Sequence, residues 1–469
     1  MKSSSCKETR RLLAAIKGKT SLSFFLAHSS SSSHTHTQIA TMSLSGNSPP
    51  GTGHVGTLTP DQSRALKQLY SALFEIQEKG TVTIVSEPVA APAPAAVAAT
   101  PAPAASGWGG GWFGSAAPAA PAEPVVQAPV TVTLEEIGLS AQEVHTSLWN
   151  NVLGDNPDAL VLRFLRARKW HVANGLLMLL RAFKWRLEQN VEDVKSLGDA
   201  ELDAAYPKFQ QQLEMGKFYV HGTDKHGQPV VYLNVHLHRS GDQDNKTLER
   251  LTIYLMETGR LLIQSPVETV ALVFDLTNFG LGNMDYSLVQ FLVKCFEAYY
   301  PESLGAILVH NAPLVFWGVW KVIEPWLDPV VASKIKFTYK NQELLDLIPA
   351  EHLPDSFNGA GLDKYTYQYL APVPSENDAM KDEATKAALT AEWNALSAKY
   401  DSKTREWIGL ADGKDAEVAK EREEIARELH AQYYKMEPYV RARNQFHRKN
   451  AAGQSVLQPD GTAIWTYHC

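Results

Sequence analysis

Asp275 closes the apolar run Thr269-Val270-Ala271-Leu272-Val273-Phe274, a strand end of the kind where α/β proteins often hold a functional acid. Catalysis there would need a nucleophile, a base or metal ligands as partners. The chain has no G-x-S-x-G elbow, no Walker A loop, no H-E-x-x-H and no C-x-x-C. Gly409 to Lys414 resembles a P-loop only loosely: its spacing is short, and Asp415 stands where Ser or Thr should be. Gly109 to Gly114 matches G-x-G-x-x-G by letter, yet no strand precedes it and no helix follows. Asp275 therefore reads as a cap for the turn through Thr277 and Asn278. No catalytic residue and no metal site is expected.

What remains is binding chemistry. Pro313 and Pro325 bracket a helix whose apolar residues, Phe316, Trp317, Trp320 and Ile323, spread around much of its circumference. Such a helix is either fully buried or meets hydrocarbon part of the time. Asn311-Ala312-Pro313 before it and Leu327-Asp328-Pro329 after it read as hinge-like breaks. The elements that must position it alternate in type. Pro229 to Val235, Thr269 to Asp275, Ala306 to His310 and Lys334 to Phe337 read as strands. Leu248 to Ile263, Leu288 to Tyr299 and Phe316 to Trp326 read as helices, and the layout is α/β.

Upstream, Asp158 to Glu188 reads as a small helical subdomain, with Arg163, Arg166, Arg168 and Lys169 among its apolar residues. Thr59-Pro60-Asp61 opens a short amphipathic helix expected to pack on the main domain. Downstream, Ala388 to Tyr400 and Ala416 to Tyr434 read as a charged, antiparallel helical appendage.

The 469 residues allow two or three domains, and a 44% hydrophobic share allows a sizeable core. A net charge of −7 argues against a protein that coats nucleic acid. Cys6, Cys295 and Cys469 are too far apart for a disulfide framework, which suits a reducing compartment. The most apolar run, Leu304 to Leu327, is broken by His310, Asn311, Pro313, Lys321 and Glu324, so any membrane contact would be peripheral. Residues 1–41 have the basic, Ser-rich composition of a presequence, but the polar leader after Met42 favours a start there. Trp108, Trp112 and Phe113 lie in an Ala/Pro linker; low-complexity drift is the simpler reading, bilayer contact the alternative.

Leu162-Arg163-Phe164-Leu165-Arg166-Ala167-Arg168-Lys169-Trp170 resembles the signature of the CRAL-TRIO N-terminal helical region. Tyr300-Pro301-Glu302, Asn311-Ala312-Pro313, Leu327-Asp328-Pro329 and Ser333-Lys334-Ile335 resemble, in order, the lipid-binding domain of Sec-fourteen-like fungal phosphatidylinositol transfer proteins. The resemblance spans about residues 140–365. It implies one phospholipid held over a mostly parallel sheet, a mobile gate helix carrying Phe316, Trp317, Trp320 and Ile323, and no cofactor beyond that lipid. It implies an inositol-phosphate site at Arg168, Lys169, Glu302 and Lys334, and an acyl-pocket strand through Val270, Leu272 and Phe274. The family positions that hold a choline headgroup correspond to Val270, Leu272, Val220 and Val231, none of which can donate a hydrogen bond. Phosphatidylcholine is therefore not the expected exchange ligand, and a sterol or squalene-like lipid is a candidate. Val331 removes a further threonine hydroxyl from the headgroup site, and Asn358-Gly359 replaces a glycine pair.

The expected organisation is a leader (1–58), an amphipathic helix (59–79), a low-complexity linker (80–135), the N-terminal helical region (136–200), the lipid-binding domain (205–364) and a helical extension (365–469). The partners implied are phosphatidylinositol and membrane surfaces, with no nucleic acid. The implied address is cytoplasmic, on endoplasmic reticulum or endosomal membranes rather than in mitochondria. A carrier of neutral lipid, or a lipid-sensing scaffold acting through the C-terminal helices, is the alternative.

Overall fold

The computed structural model describes residues 38–42, 52–85, 128–263, 267–357, 364–449, 454–457 and 463–467. The readings made for residues 108–114, for Asn358-Gly359 and for most of the leader lie outside these residues.

In chain order, β1 (Gln38–Met42) is followed by α1 (Pro60–Lys79). Thr59 starts α1 with a reciprocal capping box: its hydroxyl accepts from Gln62 N–H, and the Gln62 side chain accepts from Thr59 N–H. Gly80 ends the helix at φ +73°, a left-handed cap that favours a residue without Cβ. β2 (Thr81–Ile84) then pairs antiparallel with β3 (Val130–Thr133). The stretch read as a low-complexity linker thus begins and ends in strands that pair with each other. The two strands alternate β-branched residues and bury Val82, Ile84 and Val132, a period too short to stand out beside the Ala/Pro tract.

The longest helices that follow are α2 (Ala141–Val152), α3 (Pro157–Ala167) and α4 (Val172–Glu188). The α/β part comprises β4 (Phe218–Thr223), β5 (Pro229–Asn234), α5 (Asn245–Leu262), β6 (Val270–Asp275), α6 (Tyr286–Lys294), β7 (Leu304–His310), α7 (Phe316–Ile323) and β8 (Ile335–Thr338). The sheet order is β4-β5-β6-β7-β8. β4 runs antiparallel to β5, and every other pair is parallel. The α/β layout with a mostly parallel sheet is the one the sequence implies. Asp275 does cap its turn, accepting from Thr277 N–H at 2.9 Å.

α8 (Glu383–Gly409) and α9 (Ala416–Val440) form a hairpin. Gln432 donates to Leu389 O, Lys399 pairs with Glu428, and Lys403 with Glu421, which fixes an antiparallel register. The hairpin is not an appendage. Trp393, Tyr400, Trp407, Ile425, Leu429 and Tyr433 share one core with α1, α2, α3 and α4. Along α8 the buried positions are Trp393, Ser397, Tyr400, Thr404 and Trp407, at helical spacing but half polar or amphipathic, so no apolar stripe is visible. Beyond it, β9 (Gln454–Leu457) and β10 (Ala463–Tyr467) join β1 in a separate antiparallel sheet of order β1-β10-β9.

Candidate functional site

Period-two alternation gives the five-stranded sheet two apolar faces. Val230, Tyr232, Ala271, Val273 and Leu308 pack on Leu344, Ile348, Leu353 and Phe357. Val231, Leu233, Val270, Leu272, Phe274, Ile307 and Val309 point the other way and floor a cavity of about 320 Å³. Leu251, Leu255 and Met256 of α5 and Leu288, Val289 and Leu292 of α6 form its walls. The three strand residues expected in an acyl pocket, Val270, Leu272 and Phe274, all line it. So do Val220 and Val231, the other two positions where a choline-binding side chain would stand.

α7 closes one side. Phe316, Trp320 and Ile323 line the cavity. Trp317 does not: its ring lies on Phe337, 4.8 Å between centroids, and it is 38% exposed. On an eight-residue helix only one stripe can face inward, and Trp317 falls outside it. Val322 is exposed on the outer side, and just ahead of the helix Leu314 is 88% exposed, with Val315 also exposed. Just past the helix, Trp326 meets Tyr286 of α6 edge-on, and Asp328 N–H donates to Glu297 at 2.7 Å. Both contacts tie the end of α7 to the opposite wall. The flanking breaks have the required chemistry: Asn311 sits at φ +56°, and Asp328 caps the next helix by accepting from Val330 N–H.

The structure places Glu302 and Lys334 at the N-terminal ends of parallel strands, and none of the four proposed headgroup residues is among those lining the cavity. Glu302 is two residues before β7, at φ +56° and half-buried. Lys334 immediately precedes β8, and its ammonium donates to Leu304 O at 2.6 Å. Arg168 ends α3 and donates to Ala167 O; Lys169 is exposed at φ +49°. Arg166, two residues earlier, pairs with Glu268 at 2.7 Å just upstream of β6, which brings this turn to the same end of the sheet. None of the four residues pairs with another, so Glu302 and Lys334 do not form a fastening ion pair. Lys334 reaches a carbonyl instead, and Glu302 makes no ion pair among the described residues.

Two charged clusters beside the cavity had no signal in the sequence. In the first, Arg163 and Arg166 converge on Glu268, with His54 Nδ1 at 3.1 Å. Burial would raise the Glu268 carboxyl, but His54 and the two guanidiniums hold it at about 2. In the second, Arg186 bonds Glu257 at 2.7 Å and Tyr300 donates to the same carboxylate at 2.9 Å. Tyr300 also meets Trp185 edge-on, while Tyr299 stacks on Trp185 at 4.0 Å. Tyr300 thus anchors the segment that presents Glu302. Long-range partners of this kind carry no local pattern in the sequence.

Such an arrangement suits enclosure of an apolar body with a polar group at one rim. Among the described residues no cluster of His, Cys, Asp and Glu could hold a metal ion, and no helix is long and apolar enough to cross a membrane.

Comparison with known proteins agrees with this geometry. The family profile of the CRAL/TRIO domain matches residues 213–359, and that of the CRAL/TRIO N-terminal domain matches residues 129–181. A CRAL-TRIO domain-containing protein of Schizosaccharomyces pombe is 41% identical over 323 residues, 68% of this chain and 72% of the relative. The phosphatidylinositol transfer protein CSR1 of Eremothecium gossypii is 37% identical over 310 residues, 65% of this chain and 71% of that protein. The solved structure of Sfh5 aligns with 49% of this chain and 81% of its own at 19% identity and a TM-score of 0.37, too distant a likeness to position any residue. By its paired domains, and by relatives that match it across most of their length, the chain belongs to the CRAL-TRIO family.

Proposed function

We propose that the protein holds one phospholipid, phosphatidylinositol, in the cavity and transfers it between membranes. The observation that carries this reading is the two-sided helix α7, which has cavity-lining rings inside and Trp317 and Val322 exposed outside, with Leu314 and Val315 exposed just ahead of it. A helix apolar on both sides can exchange an internal lipid contact for a bilayer contact at little cost.

The energetics require such a device. Each CH₂ moved into water costs about 0.8 kcal/mol, so two chains of about sixteen carbons cost roughly 25 kcal/mol if exposed together. Only an equally apolar cavity, opened at the bilayer surface, avoids that barrier. At the rim, Arg168, Lys169 and Lys334 supply cations for a phosphodiester, and Glu302 supplies an acceptor for inositol hydroxyls. The relative named as a phosphatidylinositol transfer protein supports this choice of lipid. The apolar floor at Val220, Val231, Val270 and Leu272 argues against phosphatidylcholine as counter-ligand. The work would be done peripherally, from the cytoplasmic side of endomembranes.

The same lining also suits a neutral lipid such as a sterol, with the basic rim structural. Mass spectrometry of lipid co-purifying with the full chain separates the two readings. Phosphatidylinositol supports the proposal; phosphate-free lipid alone sinks it.

A further inference from the structure

The cavity has a second polar end, far from the proposed headgroup rim. Lys217 immediately precedes β4, and its carbonyl accepts from Asn234 N–H at the C-terminal end of β5. Glu302 and Lys334 precede β7 and β8, so they mark the opposite ends of parallel strands. Seven residues of β7 at about 3.3 Å each put roughly 20 Å between the two ends. Lys217, His238 and Asp285 line the cavity there, each with less than a tenth of its surface exposed.

The bonding of this corner is incomplete. The Lys217 ammonium reaches Gln243 Oε1 at 3.2 Å and His238 Nδ1 only at 3.5 Å. Among the described residues no carboxylate lies within 4 Å of it; burial draws it down to about 8, with Asp242 acting on it only from farther off. His238 Nε2 is buried and makes no close hydrogen bond; it faces Asp285 Oδ2 at 3.5 Å, a long ion-pair contact. The corner is nevertheless rigidly held. Asn283 donates to the carbonyls of His236 and His238, Gln243 donates to Arg239 O, and Asp285 caps α6 through Leu288 N–H. A buried cation that fastens a fold normally carries its counter-ion. Here the missing partner faces a ligand cavity.

We propose that the corner formed by Lys217 and His238 binds the anionic head of a second lipid, a carboxylate or phosphate, whose tail lies along the sheet in the opposite sense to phosphatidylinositol. Such a lipid and phosphatidylinositol would compete for one cavity, which makes it the counter-ligand of exchange. The proposal rests on the lipid-carrier reading above.

The test titrates the full-length protein with fluorescent cis-parinaric acid, its methyl ester, pyrene-labelled phosphatidic acid and pyrene-labelled phosphatidylinositol. One charge-assisted hydrogen bond in a buried site is expected to give the acid at least about a tenfold advantage over the ester. Lys217→Met should remove that advantage, and Lys217→Arg should restore part of it. Loss confined to the fatty acid marks a carboxylate site; loss confined to phosphatidic acid marks a phosphate site. Equal binding of acid, ester and phosphatidic acid by the native protein overturns the proposal without recourse to any variant, as does a Lys217→Met protein that keeps its preference for anions. Failure of phosphatidylinositol to bind would instead refute the headgroup reading and leave the acid-to-ester contrast intact.

Discussion

Leu314→Asp isolates the membrane contact of the gate from everything else. Leu314 precedes α7, is 88% exposed and lines no part of the cavity. Full burial of a leucine side chain is worth about 1.5–3 kcal/mol. Because nearly all of that surface is free, bilayer insertion would gain about 1.5–2.5 kcal/mol from this residue, or roughly 10- to 70-fold in partitioning. The aspartate forfeits that gain and adds a carboxylate that must be desolvated or kept out of the interface. An exposed substitution costs the fold little. The expected result is at least a tenfold drop in co-flotation with phosphatidylcholine vesicles containing phosphatidylinositol. Transfer of fluorescent phosphatidylinositol should fall in parallel, with an unchanged melting temperature. A transfer rate within twofold of the native protein, at unchanged stability, would falsify the idea that the outer side of α7 meets the bilayer.

Three further outcomes follow from the same structure. Arg168→Ala with Lys334→Ala should abolish selective phosphatidylinositol transfer between vesicles while leaving the melting temperature near native; transfer that survives the pair removes these residues from the headgroup site. Arg422→Ala should cost about 3–5 kcal/mol in urea unfolding, because buried Arg422 holds Asp158 at 2.7 and 3.1 Å, Thr404 at 3.0 Å and Tyr400 at 2.8 Å; a loss under about 1 kcal/mol would show that this network adds nothing net. Acid should destabilise the protein in a defined window. Against burial, His54 with Arg163 and Arg166 hold Glu268 at about 2, and His447 with Arg443 and Arg441 hold Glu437 at about 2. Both groups have folded values below their unfolded ones, so their contribution is complete above about pH 4.5 and is lost as pH falls toward 2. Stability flat across that interval, followed by thermal melts, would contradict the assignment.

The α/β layout, the strand order of motifs and the cavity floor were legible because they rest on local signals. Thr269 to Asp275 could be nothing but a buried strand, and once it was placed, period two put Val270, Leu272 and Phe274 on one face. Trp317 lies on α7, but the side it faces was not legible, for the converse reason. Apolarity around a helix says that both sides are covered, but not which side meets the sheet; that depends on Phe337, a partner on β8. The Lys217 corner left no trace at all. A lysine ahead of an apolar strand usually reads as a solvated flank, and only β5, the loop holding His238 and the start of α6 bring it indoors.

The C-terminal hairpin changes how its role can be tested. Read from its Glu/Lys pairs, residues 365–469 look removable, and deletion would separate lipid carriage from a scaffold role. In the fold, α8 and α9 complete the core of α1 through α4 with Trp393, Tyr400, Trp407 and Leu429, while Arg422 neutralises Asp158 on α3. Deletion would expose those aromatic contacts and leave a buried carboxylate unpaired. It would also free α3, whose last turn carries Arg168 at the proposed headgroup rim. Activity lost on truncation would therefore report unfolding of the carrier and say nothing about a partner. A scaffold role has to be sought with substitutions on the hairpin's solvent side, at positions such as Lys399 and Glu428, where half-exposed charges can change without touching the core.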